Sequence, residues 1–180
     1  MRTVLSHPSS PSADAVPGVD RSSFLEAMSR IAMTVNIVTT DGAAGRDGLV
    51  VSAMAPVSAD MERPSLLICV KATSRPAQKL ETNGVFCLNV LSDRHAGLSD
   101  SFAGRCGGQT TEWFGNDSWS VLQSGAPALD DALANLDCEI TEVSQMGTHL
   151  VIFGAVLAVR TSAGQPLLHA NRAYQRITPL

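Results

Sequence analysis

Two short segments of the sequence contain residues whose types and spacing suit ligand binding. In the first, Thr73, Ser74 and Arg75 come directly after a predicted strand, and Pro76 stands where a helix would begin. The free N–H groups and the positive dipole end of such a helix, with two hydroxyls and a guanidinium, favour binding of a phosphate group. The same residues also suit a plain helix cap that holds no ligand.

The second segment is GLVVSAMAPVS, residues 48–58. Its small residues Ser52, Ala53 and Ala55 stand where larger side chains would normally serve strand packing. A flat ligand could lie close to such a backbone and bind to its N–H and C=O groups. A strand packed beneath a helix is the alternative interpretation of the same pattern.

Most sequence motifs of catalysis and metal binding are absent from this chain. It contains no GxGxxG or GxxxxGK[ST] nucleotide motif and no HExxH or GxSxG motif. No histidine has a partner at metal-ligand spacing and no CxxC pair occurs, so we predict no bound metal. Widely spaced cysteines favour free thiols in a reducing, cytoplasmic compartment. The residues concerned are His7, His95, His149, His169, Cys69, Cys87, Cys106 and Cys138.

The elements that would position these residues are mostly strands. Apolar runs separated by Gly, Asp and Pro predict about seven of them. We expect strands at 34–40, 48–54, 65–71, 85–91, 129–143, 149–160 and 171–177, with a short apolar run at 166–169. Helices are predicted at 24–32, capped by Ser22 or Ser23, at 76–82 and within 93–104.

Residues 103–127 are rich in Gly and irregular in pattern, and they contain Trp113 and Trp119. We interpret them as a long functional or covering loop; the tryptophans would cover a ligand or fill a subunit seam. Many strands and few short helices predict a mainly β fold. The predicted architecture is a closed or partly closed antiparallel barrel with its helices outside.

Composition limits the classes of function. The chain has 180 residues, of which 44% are hydrophobic and 17% charged, which suits one domain at 21–180. Residues 1–20 are rich in Ser and Pro and are predicted to form a disordered, dispensable tail. A net charge of −4 without a basic cluster argues against nucleic acid as a partner. No apolar run is long enough for a membrane helix.

Eight segments, in order along the chain, resemble the short-chain flavin reductases. These are the FMN-binding split-barrel reductase components of two-component flavin monooxygenases, and the likeness is greatest to the reductases of 4-hydroxyphenylacetate 3-monooxygenases. The resemblance implies a split β-barrel of Greek-key type and a symmetric homodimer. The matching segments are FLEAMSRIAMTVNIVTTDG, GLVVSAMAPVS, PSLLICVKATS, NGVFCLNVLS, FAGRCGG, GAPALDDALANLDCEI, GTHLVIFGAV and PLLHANRAY.

The activity implied by this resemblance is NAD(P)H:flavin oxidoreduction. Hydride would pass from NADH or NADPH to FMN or FAD, and diffusible reduced flavin would supply a partner monooxygenase, an aromatic hydroxylase. Because the cofactors perform hydride transfer themselves, the protein needs no acid–base pair.

Site residues follow from the resemblance position by position. The flavin ring and ribityl chain would lie along the segment after the first long strand, and the flavin phosphate at the start of the helix near residue 76. The residues implied for the flavin are Val51, Ser52, Ala53, Met54 and Ser58, with Ser74, Arg75 and Lys79 at its phosphate and Phe102, Gly104 and Arg105 at its flank. His149 would position the nicotinamide and Tyr174 would help to close that site.

Two positions depart from the pattern of the family. Val50 and Pro56 stand where relatives commonly have hydroxyl residues, so fewer side-chain donors would face the flavin. Two other functions stay open: a flavin-dependent corrinoid reductase of the same family, and a flavin-binding module without catalysis. For His149, a purely structural imidazole is the alternative to a role at the nicotinamide.

Overall fold

A computed structural model describes residues 18–107, 110–115 and 117–178; most of the predicted tail lies outside this part of the chain. Within it, short strands dominate and the helices are brief. The helices are α1 (Arg21–Ser29), α2 (Arg75–Asn83), α3 (Ala96–Phe102) and α4 (Thr110–Trp113), with a 3₁₀ turn at Asp93–His95. The strands are β1 (Met33–Thr34), β2 (Asn36–Thr40), β3 (Asp47–Val51), β4 (Met54–Ser58), β5 (Ser65–Lys71), β6 (Val85–Val90), β7 (Trp119–Val121), β8 (Pro127–Leu129), β9 (Ala134–Met146), β10 (His149–Thr161), β11 (Leu168–Ala170) and β12 (Ala173–Gln175).

The main sheet has seven antiparallel strands in the order β3-β2-β6-β9-β10-β5-β4. Its edge strands, β3 and β4, are consecutive in the chain and are joined only by Ser52 and Ala53. Such a link spans no more than about 10 Å, so the sheet must curl until its two edges meet. The result is a barrel whose seam is crossed by the chain instead of being closed by a ladder of hydrogen bonds. The predicted split barrel is confirmed.

Helix α2 packs against the barrel at this seam. Its buried residues Ala77 and Leu80 join the barrel core, where they belong to the same cluster as Val51 of β3 and Val70 of β5. Because strand residues alternate between faces, the odd-numbered residues of β3 face α2 and the core. Its even-numbered residues face α3 on the outside.

The outer face of β3 is covered by α3 and by an aromatic cluster. The ring centroid of Phe102 lies 5.5 Å from Trp113, 5.2 Å from Phe114 and 5.8 Å from Trp119. A Cβ atom on Gly48 would lie 2.7 Å from the Phe102 ring, so only glycine permits this approach. The tryptophans therefore pack against their own chain, and the predicted loop at 103–127 contains α4 and β7.

Most predicted boundaries agree with the structure, and the exceptions have physical causes. The predicted strand at 48–54 is correct only as far as Val51, because Ser52 and Ala53 cross the seam to the next strand, which begins at Met54. The predicted strand at 129–143 is likewise two strands, β8 and β9, separated by a turn. Helix α1 begins earlier than predicted, and its cap is Asp20 instead of Ser22 or Ser23, which donate to the Asp20 carboxylate.

Within the described part of the chain, no helix has the length and apolar character needed to cross a membrane. The longest helices contain nine residues.

Candidate functional site

A cavity of about 140 Å³ lies on the outer face of β3, where the chain begins to cross the seam. Strand β3 and its link supply one wall, the end of α3 and the turn after it supply a second, and β11 and β12 supply a third. The structure thus brings together three residues predicted from sequence: Ser52, Arg105 and Tyr174. The complete lining is Val35, Val50, Ser52, Ser99, Ala103, Arg105, His169 and Tyr174.

One wall of the cavity is a hydrogen-bonded network around Tyr174. The Tyr174 hydroxyl donates to Asp100 Oδ1 at 2.8 Å and lies 3.0 Å from Ser99 Oγ. Arg105 Nη1 donates to the same Asp100 oxygen at 2.8 Å and lies 3.3 Å from the Tyr174 oxygen. These bonds, that from Tyr174 foremost, lower the pKa of Asp100, whereas burial raises the pKa of Tyr174. At neutral pH the wall therefore contains an anion, a neutral phenol and a cation.

The opposite walls are mainly apolar. Val50 lines the cavity together with Val35 and Ala103. The His169 ring meets Tyr174 edge to face, with 6.0 Å between ring centroids. A flat, partly polar group therefore finds one apolar side and one side with hydrogen-bonding partners.

Phe102 and Gly104, both predicted to flank a flavin, lie just outside the cavity lining. Phe102 is buried in the aromatic cluster beneath Gly48. Gly104 has a φ of 72°, a left-handed conformation that suits glycine and ends α3. This turn places Arg105 back against Asp100 at the cavity wall.

A second group of predicted residues lies at the start of α2. Ser74 is the N-cap residue, yet its Oγ atom is buried and has no hydrogen-bond partner. Arg75 and Lys79 both contact the fully buried carboxylate of Asp47, with Arg75 Nε at 2.9 Å and Lys79 Nζ at 3.3 Å from Oδ2. A guanidinium, an ammonium and a helix N-terminus with an unsatisfied hydroxyl together suit an anionic group.

His149 lies at a third position, the first residue of β10. It is exposed and pairs with Lys71 of β5, and its Nδ1 lies 3.0 Å from Thr148 Oγ1. Lys71 is three residues before Ser74, so the imidazole is at the sheet end from which α2 departs. The cavity beside Tyr174 does not include it.

The remaining predicted residues are spread along the seam. Val51 is buried in the barrel core, and Ala53 is exposed on the link, with its carbonyl accepting from Cys69 N–H at 2.9 Å. Met54 and Ser58 line a different cavity, an apolar opening of about 260 Å³ at the other side of β4. Ser58, at the end of β4, is five residues after Ala53 and does not lie beside the link.

Four residues of these groups escaped sequence reasoning: Asp47, Ser99, Asp100 and His169. Asp47 stands in a Gly- and Asp-rich segment that indicates only a turn. Ser99 and Asp100 lie on a predicted helix without a motif. His169 ends the PLLH run, and its spacing of five residues from Tyr174 was the one available signal.

The described residues contain no group of His, Cys, Asp and Glu that could hold a metal ion. All four cysteines are free. Burial raises the pKa of the Cys138 thiol to about 12 and also raises the pKa of Cys87, so both thiols stay protonated and serve as core residues.

Comparison with known proteins gives a consistent result. The family model described as "Flavin reductase like domain" matches residues 28–178. An FMN reductase (NADH) RutF of Agrobacterium fabrum is 40% identical over 153 residues, which cover 84% of this chain and 86% of that protein. A crystal structure of a candidate flavin reductase from Haemophilus somnus has a TM-score of 0.83 at 36% identity, covering 88% of this chain and all of that one. The NADH:FAD oxidoreductase SgcE6 of Streptomyces globisporus has a TM-score of 0.79 at 25% identity, covering 94% and 95%.

Proposed function

The chain belongs to the family of flavin reductase like domains, and on this premise we propose that it is an NADH-dependent flavin reductase. It transfers a hydride from NADH to FMN or FAD and releases the reduced flavin to a partner monooxygenase, an aromatic hydroxylase. The observation that most supports this function is the cavity beside the Ser52–Ala53 link, with one apolar side and the Tyr174 network on the other.

The cavity has room for one edge of a flat heterocycle, whose remainder would extend out of the cavity. Bound there, a flavin would supply the hydride-accepting chemistry, and the protein would hold it and exclude competing reactions. Ser52 and the link provide polar groups at one edge, and Arg105 provides a fixed positive charge at another. Since the hydride moves between two cofactors, the reaction needs no proton transfer by a side chain of the cavity.

The flavin phosphate belongs at the start of α2. The buried Ser74 Oγ without a partner is the observation that fits this role, because a buried hydroxyl normally has a hydrogen bond. Removing Ser74 and Arg75 together as Ser74→Ala/Arg75→Ala should weaken FMN binding about ten-fold or more. Riboflavin, which has no phosphate, should bind almost as before. Equal losses for both flavins would contradict this location.

His149 and Tyr174 would serve the nicotinamide. His149 is exposed at the sheet end next to the α2 phosphate site, and Tyr174 fixes the far wall of the cavity. Neither residue needs to move a proton: His149 orients the dinucleotide, and Tyr174 keeps Asp100 and Arg105 in place.

The test of the function is NADH oxidation with and without added flavin. Turnover that rises with added FMN or FAD supports a reductase of diffusible flavin, and the same assay with NADPH defines the preferred donor. Oxidation that requires a corrinoid would support the corrinoid reductase instead. Flavin binding without any oxidation would support a binding module.

With its free cysteines, the protein is expected to work in the reducing cytoplasm.

A further inference from the structure

Asp47 is a buried acid in the middle of the proposed phosphate site. Its side chain is 0% exposed, whereas 60% of the Arg75 side chain and 27% of the Lys79 side chain are exposed. Oδ1 accepts from Gly48 N–H at 2.9 Å and from Arg75 Nη2 at 3.2 Å, and Oδ2 contacts Arg75 Nε at 2.9 Å. The carboxylate therefore lies beneath the two cations that would meet an anion from solvent.

The carboxylate of Asp47 offsets one of the two positive charges beside it. Arg46 is the next cation along the chain, and its Nε lies 3.0 Å from Asp41 Oδ2, so it forms a separate ion pair. Lys79 Nζ also donates to the Arg46 carbonyl at 3.0 Å. Taken together, Asp47, Arg75 and Lys79 have one net positive charge, whereas a phosphate has up to two negative charges.

We propose that Asp47 sets the affinity of the α2 site for the flavin phosphate, keeping it weak so that reduced flavin can leave. This inference rests on the proposed function. The buried acid attracts Arg75 and Lys79 into place and at the same time repels the incoming phosphate. Without this acid, the negative charge that faces Arg75 and Lys79 at the helix N-terminus would be removed, and the site would hold flavin more tightly.

The decisive variant is Asp47→Asn in the full chain. Asparagine keeps the shape of the side chain and an oxygen that can accept from Gly48 N–H, but it removes the negative charge. We expect the dissociation constant for FMN to fall about three- to ten-fold, the range for removing one unit charge near a solvent-accessible phosphate. Binding of riboflavin should not change. An FMN-to-riboflavin affinity ratio that stays constant or falls would overturn the proposal.

Asp41→Asn is the matched control. It changes the net charge of the protein by the same amount but removes the acid that pairs with Arg46, not the acid that pairs with Arg75 and Lys79. We expect it to change the FMN-to-riboflavin ratio less than Asp47→Asn does. An equal effect would mean that overall charge, not the buried acid, determines affinity, and would contradict the proposal.

Because Asp47→Asn leaves two cations without their buried acid, the same substitution is also made together with Arg75→Gln. This pair of variants keeps the test valid if the single variant does not fold. Compared with Arg75→Gln alone, the double variant should bind FMN more tightly and riboflavin equally; equal FMN binding would overturn the proposal. If Arg75→Gln alone leaves the FMN-to-riboflavin affinity ratio unchanged, the phosphate does not bind at this site, and both the proposed phosphate location and the role of Asp47 are contradicted. If Arg75→Gln lowers the ratio but Asp47→Asn does not raise it, only the role of Asp47 fails.

Discussion

Tyr174 connects two chain segments through a single hydroxyl. The oxygen contacts Ser99 and Asp100 of α3 from the short strand β12, and Arg105 approaches the same point. A phenol that donates to a carboxylate fixes both partners, so the cavity wall is formed before any ligand binds. Pre-formed walls reduce the ordering cost of binding.

Replacing this hydroxyl by Tyr174→Phe should therefore loosen the wall. We expect a loss of about 1 kcal/mol in the free energy of unfolding at pH 7, a modest value because the Asp100 side chain is partly exposed to solvent. The folded-state pKa of Asp100 lies below its ordinary value of 3.8, and the Tyr174 bond is the main cause. Its contribution is thus present above the ordinary carboxyl pKa and is lost as the pH falls through the lowered one.

Urea unfolding of both proteins at pH 7 and at progressively lower pH tests this prediction. The difference between wild type and Tyr174→Phe should be largest at neutral pH and should shrink as Asp100 becomes protonated. A difference that is constant across this range would show that the hydroxyl acts through packing and not through the carboxylate.

The second prediction for a single residue concerns the proposed role of His149 at the nicotinamide. The side chain is exposed and contacts Thr148, so its removal should leave the melting temperature unchanged. We expect His149→Ala to raise the KM for NADH or slow flavin reduction at a cost of about 1–2 kcal/mol, with FMN affinity close to wild type. Met146→Ala, at the position paired with His149 on β9, is the control for disturbance of the turn.

Stopped-flow reduction across neutral pH separates the alternatives for His149. Loss of most activity, together with loss of a pH dependence that the wild type shows, would indicate a general acid. A change in thermal stability alone would indicate a structural imidazole.

At the scale of elements, local sequence patterns predicted most of the strands and helices but not the position at which the sheet closes into a barrel. Strand β5 matches its predicted range, Ser65–Lys71, because its apolar run is bounded by clear turn residues. The two residues that make a barrel out of a sheet, Ser52 and Ala53, have no such signal: Val51 and Met54 on either side continue the apolar run. A seam is defined by which strands pair, and pairing between distant segments is not encoded in local periodicity.

In the candidate site, too, some residues were predictable from local sequence and others only from contacts in the folded chain. The segments at 52–53 and 74–75 were identified by their residue types, and the resemblance added Arg105 and Tyr174. Asp47 and His169 were missed because their roles depend on contacts made in the folded chain: one with α2 and the other with Tyr174. The resemblance implied a place for Ser58 near the flavin, whereas the extended strand β4 places it at the apolar opening.

Gly154 in β10 tests how tightly the barrel is packed. The strand has an irregular register between Phe153 and Gly154, and a Cβ on Gly154 would lie 2.6 Å from the buried ring of Phe86 and 3.0 Å from Cys138 Cβ. Because Phe86 is fully buried, it cannot move aside without cost. We expect Gly154→Ala to destabilise the protein by about 1–3 kcal/mol.

Chemical denaturation measures this change, with Gly97→Ala as the matched control. Gly97 lies on α3, and a Cβ there meets no atom within 4 Å, so alanine should be neutral or slightly stabilising. Similar stability of the Gly154→Ala variant and wild type would show that the barrel can accommodate the added methyl group at this position.

At the scale of the whole molecule, the single chain leaves unusual apolar surface uncovered. Helix α1 buries none of its residues, and Phe24 and Leu25 are 56% and 42% exposed. At the edge strand β4, Val57 is 49% exposed and Met61 in the following turn is 58% exposed, next to the apolar opening. Apolar patches of this kind mark surfaces that meet another protein.

We propose that a second copy of the chain covers the β4 surface in a symmetric homodimer, because a two-fold axis lets one apolar patch cover its own copy. Sedimentation of the wild type at micromolar concentration should give twice the chain mass of 18.9 kDa.

Val57→Glu/Met61→Glu places two charges in the proposed interface and should give monomers that remain folded, because both side chains are exposed in the single chain. Val121→Glu, at an exposed apolar residue on β7, should remain dimeric. A monomeric wild type would exclude the homodimer, whereas a dimer that tolerates both charges would place the interface elsewhere, with α1 the next surface to test.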